Sequence, residues 1–223
     1  PNVVTNIRET ILKYGGEIHF ESRVVDFIIK ENKIRAIQLQ NNKEMTVESV
    51  ILATGHSARD IYYLLHRKNI NIEAKSFAMG VRVEHPQQII DSIQYHCKNE
   101  RHNLLPAASY SLVQQVKERG VYSFCMCPGG FIVPAATANG EVVVNGMSPS
   151  KRNGEFANSG IVVEINVEKD LSTYNHFGVL KGLEFQKDLE KMAFEAGGRT
   201  QAAPAQRLTD FVTGKLSTNL NST

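Results

Sequence analysis

The chain has 223 residues, of which 42% are apolar, so it is long enough to bury a hydrophobic core. Its 25 basic and 23 acidic residues are scattered and sum to +2, which argues against nucleic acid or a membrane surface as a partner. No apolar run approaches the ~20 residues that span a bilayer, and the first residues lack a signal-peptide pattern, so we expect a cytoplasmic protein. Three cysteines in a chain of this size do not indicate a disulfide framework.

The first part of the chain predicts a helix followed by short strands. Apolar residues recur at helical spacing in "NVVTNIRETILKYGG", and the glycine pair at its end is a stop signal. A strand is predicted at "EIHFES" (residues 17–22), and a three-stranded meander with turns at Glu31-Asn32 and Asn41-Asn42 follows. The apolar run Val50–Ala53 then predicts a buried parallel strand.

A second region begins with a predicted helix at residues 60–70. It continues as a strand (76–86), a helix (87–96) and several short strands punctuated by Gly, Pro and Asn, which favour a mixed sheet. These strands are expected at 108–116, 120–130, 131–137, 141–147 and 159–170. From Phe177 an apolar stripe predicts a helix that ends at Gly197-Gly198, and the polar tail 217–223 is expected to be a frayed end or a point where a longer chain was cut.

The tripeptide Ala53-Thr54-Gly55 comes where the predicted parallel strand ends. In doubly wound folds ligands bind outside the carboxyl ends of such strands, and these small residues would let a flat ligand approach the backbone. The alternative is a simple exit from the strand with Gly55 at positive φ. His56 follows directly and could donate a proton near a ligand, or could be an ordinary loop histidine.

The stretch "FCMCPGG" (124–130) is the second candidate. On a regular strand Cys125 and Cys127 would share a face about 6.6 Å apart, a separation that strains a disulfide. Either they are two small core residues before a turn, or Pro128-Gly129-Gly130 brings a backbone close to a ligand. A cysteine nucleophile activated by a histidine is a third alternative. The scattered histidines show no paired spacing, so no metal site is predicted.

Arg82 lies on a predicted strand among apolar neighbours, where a guanidinium needs a partner. Its partner could be a substrate carboxylate, Glu84 on the same face, or another acid. Asn145, Ser148 and the segment "KRNGEFANS" follow a strand and could line a site or form a turn.

The order of these elements resembles the central part of the FAD-binding domain of glutathione-reductase-like flavoproteins. The segments "FAMGVRVEHPQ", "GVYSFCMCPGG" and "VVVNGMSPSKRNGEFANS" resemble a bacterial group of FAD-dependent dehydrogenases of unknown substrate. The resemblance implies an α/β (α+β) fold in which residues 1–58, with 200–223 as a candidate addition, form a partial Rossmann-like FAD-binding domain. Residues 59–199 would form a mixed-sheet substrate domain. It also implies that Ala53, Thr54, Gly55 and His56 lie against the flavin nucleotide, and that the backbone of Val24 and Val25 contacts the adenine.

One departure from this family is that the chain contains no GxGxxG, the turn whose backbone N–H groups hold a pyrophosphate. The chain is therefore expected to be an internal fragment of an FAD-dependent oxidoreductase acting on a small molecule. On this reading the parent protein binds FAD, whereas the isolated chain neither retains it nor is active. The alternative function is a flavin-free binding or scaffolding module that keeps the fold.

Overall fold

The computed structural model describes residues 2–98 and 100–216, and the chain divides into two compact units. Unit 1 comprises residues 1–72 and unit 2 comprises residues 73–223. The predicted frayed tail, 217–223, lies outside the described residues. Both units combine helices with antiparallel sheets, which confirms the predicted α+β class.

Unit 1 is a small meander with two helices. Its elements are α1 (Asn2–Lys13), β1 (Val24–Lys30), β2 (Lys33–Leu39), β3 (Glu44–Thr46) and α2 (Arg59–Arg67). The three strands pair in the order β1-β2-β3, all antiparallel. Glu31 and Asn32 both have positive φ, as a tight hairpin turn requires, so the predicted turn is confirmed. Phe27 on β1 packs against Ile61 and Leu64 on α2 to form the core of the unit.

Two predicted strands of unit 1 are absent from the structure. Residues 17–22 form no ladder, and Glu21 has a positive φ that ends any extended run. Residues 50–53 form no strand, and Ile51 is 93% exposed. The prediction of a buried parallel strand was therefore wrong for the described chain, because these residues pair with none of the described strands.

Unit 2 contains a four-stranded sheet, a two-stranded ribbon and helices. Its elements are β4 (Phe77–Pro86), α3 (Gln87–Tyr95), β5 (Val113–Val116), β6 (Arg119–Cys127), β7 (Phe131–Ala135), β8 (Val143–Met147), β9 (Phe156–Ile165), a 3-10 segment (Ser172–Leu180), α4 (Lys181–Ala196) and α5 (Leu208–Thr213). The sheet order is β4-β9-β6-β5, and β7 pairs with β8. Every pairing is antiparallel, so the expectation of a mixed sheet was wrong in this detail.

β9 is the central strand of unit 2, and its pairing with β4 runs without interruption from Phe77 to Pro86. Ala157, Asn158 and Ser159 on β9 are fully buried. α3 begins directly after β4 and presents Gln87, Ile90 and Asp91 to the interior. No helix in residues 2–98 and 100–216 is both long enough and apolar enough to cross a bilayer.

Candidate functional site

The Arg82 side chain crosses from β4 over β9 to the end of β6. Its Nη1 donates to Asn158 Oδ1 at 2.6 Å and to the Cys125 carbonyl at 3.3 Å, and it lies 4.0 Å from the Cys127 sulfur. Arg82 and Asn158 share one face of the sheet, because Glu84, two residues from Arg82, is the register partner of Asn158. We call Arg82, Asn158, Cys125 and Cys127 the Arg82 cluster.

A β-bulge at the end of β6 aims the Cys125 carbonyl at Arg82. The pairing of β6 with β9 shifts between Phe124 and Cys127, and Cys125 has φ +46, a backbone conformation rare for a residue with a side chain. The regular strand assumed from the sequence is therefore wrong here. Cys125 is exposed, Cys127 is half-buried, and both are free thiols, with the Cys127 sulfur 3.3 Å from the Cys125 carbonyl oxygen.

The turn after the bulge is buried against the chain's own backbone. Gly129 has φ +54, and a Cβ on it would overlap the Arg152 carbonyl. A Cβ on Gly130 would overlap the Met147 carbonyl in the same way. The Gly154 N–H donates to the Gly129 carbonyl at 3.1 Å. The glycines of Pro128–Gly130 are thus required by packing of backbone on backbone, and their contact with a ligand stays a prediction.

A buried network on α3, which sequence reasoning missed, holds this turn in place. Gln87 is 3% exposed, and its Oε1 accepts the Gly129 N–H at 2.7 Å. Its Nε2 donates to Asp91 Oδ1 at 2.8 Å and to the Ala108 carbonyl at 3.0 Å. Asp91 also accepts the Ala108 N–H and pairs with Arg101. The signal that could have found it is the spacing of Gln87, Ile90 and Asp91, which puts two polar groups on the buried face of a helix.

The Asp91 carboxylate is stabilised in its charged form. Burial raises the pKa of Asp91, but hydrogen bonds from the Ala108 N–H, Gln87 and Arg101 outweigh this and hold it below its usual value. Asp91 is therefore ionised at neutral pH, and it fixes Gln87 in the orientation that receives the Gly129 N–H.

A second polar group lies on the opposite face of the sheet. His85 Nε2 and the Tyr110 hydroxyl are 2.9 Å apart, and His85 Nδ1 is buried without a partner among the described residues. Burial raises the pKa of the Tyr110 hydroxyl, although Ser159 and the charge of Arg82 partly offset this. The sequence had given His85 no role, and the alternation of side chains along β4 separates it from Arg82.

The other candidates from the sequence lie apart from the Arg82 cluster. Asn145 on β8 is exposed, and it is the neighbouring Gly146 that meets Arg82 and Asn158. Ser148 donates to the Pro128 carbonyl at 2.9 Å, so it supports the turn. Asn158 belongs to the predicted "KRNGEFANS" segment, but the sequence alone did not single it out.

The predicted cofactor residues all lie in unit 1. Ala53, Thr54, Gly55 and His56 form an exposed loop in which Gly55 has φ +76. The positive φ of the strand-exit alternative is confirmed, but residues 50–53 form no strand for the loop to follow. Val24 and Val25 line a cavity of about 250 Å³ together with Arg23, Asp60, Ile61, Tyr63, Leu64 and Arg67. An open groove of about 590 Å³ has walls of Glu21, Ser22, Arg23, Gln40 and Asn41. No His, Cys, Asp or Glu cluster suited to a metal ion occurs in the part of the chain that the structure describes.

Comparison with known proteins agrees with this division into units. Residues 76–223 match the model of the family described as FAD-dependent protein, C-terminal domain-like, and this range covers nearly all of unit 2. A protein of Clostridium beijerinckii, described only as uncharacterized, is 44% identical over 220 residues. That alignment covers 98% of this chain but 40% of the relative, so the chain spans about two fifths of the relative's length. The chain belongs to the FAD-dependent protein, C-terminal domain-like family.

Proposed function

We propose that this chain is part of a flavoprotein oxidoreductase of the glutathione-reductase-like type, an FAD-dependent dehydrogenase. Unit 2 would supply the substrate-side domain and unit 1 one wall of the FAD site. The observation that carries this proposal is the family match over unit 2, which names FAD dependence. In support, the residues proposed to contact adenine line a cavity in unit 1.

The cavity beside Val24 and Val25 shares Arg23 with an open groove of unit 1, and this groove supports binding of the adenosine end of FAD. A groove of about 590 Å³ falls in the size range of small-molecule sites. Side-chain amides from Gln40 and Asn41 offer both donors and acceptors to a purine edge. Arg23 donates to Asp60 from Nη2 at 2.7 Å and from Nε at 3.1 Å, so its guanidinium plane is held in place. This hydrogen bond from Arg23 is the main reason that the pKa of Asp60 is lowered.

The sequence of this chain contains no GxGxxG, so it lacks the glycine-rich loop whose backbone N–H groups would bind the pyrophosphate of FAD. We therefore propose that the isolated chain does not hold FAD tightly and is inactive alone. FAD, when bound in the complete protein, would supply the electron transfer. The residues of this chain would bind and orient the substrate, and the buried turn at Pro128–Gly130 would help to keep water from it.

Matched glycine substitutions test this proposal in a longer protein that contains the chain. Gly55 and Gly140 both have positive φ, and a Cβ at either position would meet open space, so alanine imposes the same backbone strain at both. We expect Gly55→Ala to lower the flavin content of the purified protein and Gly140→Ala to leave it unchanged. Equal flavin content in the two variants, or a micromolar dissociation constant for FAD with the isolated chain, would count against the proposal.

A further inference from the structure

The guanidinium of Arg82 carries a positive charge that no acid of the described chain neutralises. None of the three acceptors around its Nη1 is a carboxylate, since they are an amide oxygen, a carbonyl oxygen and a sulfur. Glu84, which the sequence offered as a partner, is exposed and forms no ion pair with Arg82. Arg82 Nε and Nη2 have no acceptor among residues 2–98 and 100–216, and neither is among the buried atoms without a partner, so both donors are open to a ligand or to solvent.

Asn158 adds a second unused donor beside Arg82. The residue is 0% exposed, yet its Nδ2 has no hydrogen-bond partner within the described chain. Its Oδ1 accepts from Arg82 at 2.6 Å, which fixes the orientation of the amide and makes the free group a donor. A buried N–H without an acceptor costs about 1–3 kcal/mol, and this atom is closed to solvent, so we infer that Asn158 is kept at this cost to hold the Arg82 guanidinium.

Two glycines shape the space around these donors. A Cβ on Gly146 would overlap both the Arg82 guanidinium and Asn158 Oδ1, so the backbone of β8 lies directly against them and restrains their positions. Gly160 is the register partner of both Arg82 and Phe124, so it separates them on one face without a side chain of its own. At the usual strand spacing the Cα atoms of Arg82 and Phe124 are about 10 Å apart.

The exposed side of the cluster carries an apolar surface. Phe124 is 56% exposed although it lies on the third strand of a four-stranded sheet, and the adjacent Cys125 is also exposed. A ligand whose anionic group reaches Arg82 would place its next atoms over Gly160 and against the Phe124 ring. The face thus combines a charged end with an apolar end.

We propose that the Arg82 cluster binds the carboxylate of a substrate that carries an apolar body. The Nε and Nη2 donors of the guanidinium match a carboxylate as a parallel pair, and Asn158 Oδ1, which accepts from Nη1, holds that pair in position. Arg82 is the one cation hydrogen-bonded within the cluster, so its single charge balances a carboxylate and only half of a phosphate dianion. That the bound carboxylate belongs to a substrate rests on the proposed function, whereas carboxylate binding itself requires no flavin.

The test is a titration of the ¹⁵N-labelled chain followed by NMR, with phenylacetate, acetate and inorganic phosphate at constant ionic strength. We expect saturable shifts of the Asn158 side-chain amide and of Arg82 Nε–H with both carboxylates, and tighter binding of phenylacetate. Phe124→Ala should remove the advantage of phenylacetate and leave acetate binding unchanged. No saturable shift with either carboxylate, or tighter binding of phosphate, would overturn the proposal.

Two substitutions remove the site in different ways. Arg82→Gln removes the charge, and Asn158→Asp replaces the free donor with a carboxylate that pairs with Arg82 inside the protein. Each should weaken phenylacetate binding by about tenfold or more, and Asn158→Asp should do so with an unchanged or raised melting temperature. The control is Arg207→Gln, which changes an exposed arginine of unit 2 and should bind as the wild type does. Unchanged affinity in Asn158→Asp would refute the assignment.

These outcomes separate the two proposals. Carboxylate binding by the chain, together with absence of flavin from the longer protein, would refute the flavoprotein proposal and leave the carboxylate site standing. Flavin in the longer protein, together with no carboxylate binding, would refute the site alone.

Discussion

Replacing Gln87 by methionine removes the hydrogen bonds that hold the buried turn at Gly129 and leaves the shape of the side chain nearly unchanged. The Gly129 N–H and the Ala108 carbonyl would then be buried without partners, since both bond to the Gln87 amide. Asp91 would keep the Ala108 N–H. Two orphaned groups at about 1–3 kcal/mol each predict a loss of about 2–6 kcal/mol in the free energy of unfolding.

The assay is urea denaturation followed by circular dichroism, with Gln94→Met as the matched control. Gln94 lies on the same helix but is exposed, so its substitution should stay within about 0.5 kcal/mol of the wild type. Hydrogen exchange locates the effect, because the Gly129 amide should lose its protection in Gln87→Met and keep it in Gln94→Met. If the two variants are equally stable and Gly129 stays protected in both, the reasoning about this network is refuted.

Three further predictions concern neighbouring groups. Gly129→Ala should destabilise the protein by at least ~2 kcal/mol more than Gly140→Ala in thermal melts, because both impose positive φ on alanine but only the first adds a collision with backbone; equal melting temperatures would contradict this. Because the folded pKa of Asp91 lies below its ordinary value of 3.8, its stabilisation is present above that pH and is lost as the pH falls through the folded value. Asp91→Asn should therefore be less stable at neutral pH and less sensitive to acid, and a melting temperature that falls with acid as steeply as in the wild type would show that Asp91 does not contribute. A maleimide should label the exposed Cys125 before the half-buried Cys127, which peptide mass spectrometry would show. Faster labelling of Cys127 would contradict the geometry described for the bulge.

Local sequence signals predicted most elements of both units correctly. These predictions used patterns that span only a few residues, namely the residue types of turns and the spacing of apolar residues. They were correct for the hairpin turn at Glu31-Asn32, for helix α1 and for strand β4 followed by α3. The strand predicted at residues 50–53 was wrong because the same apolar residue types occur in buried strands and in exposed segments, and only pairing with a neighbouring strand distinguishes the two.

The candidate site could be predicted only in part. The sequence identified Arg82 as an arginine in need of a partner, but its nearest acceptor, Asn158, lies 76 residues away in the chain. The bulge at Cys125 depends on one φ angle and on cross-strand register, neither of which the spacing of the two cysteines reveals. Gln87 was missed because a polar residue in the first turn of a helix is normally at the surface, and its burial follows from the packing of α3 beneath the turn.

The most direct test of the central claim is a visible absorbance spectrum of a longer protein that contains this chain, recorded beside that of the chain alone. The account predicts the bands of oxidised flavin in the longer protein and none in the isolated chain. A longer protein that folds but carries no flavin, and takes up none when FAD is added, would contradict the account and favour a flavin-free binding module.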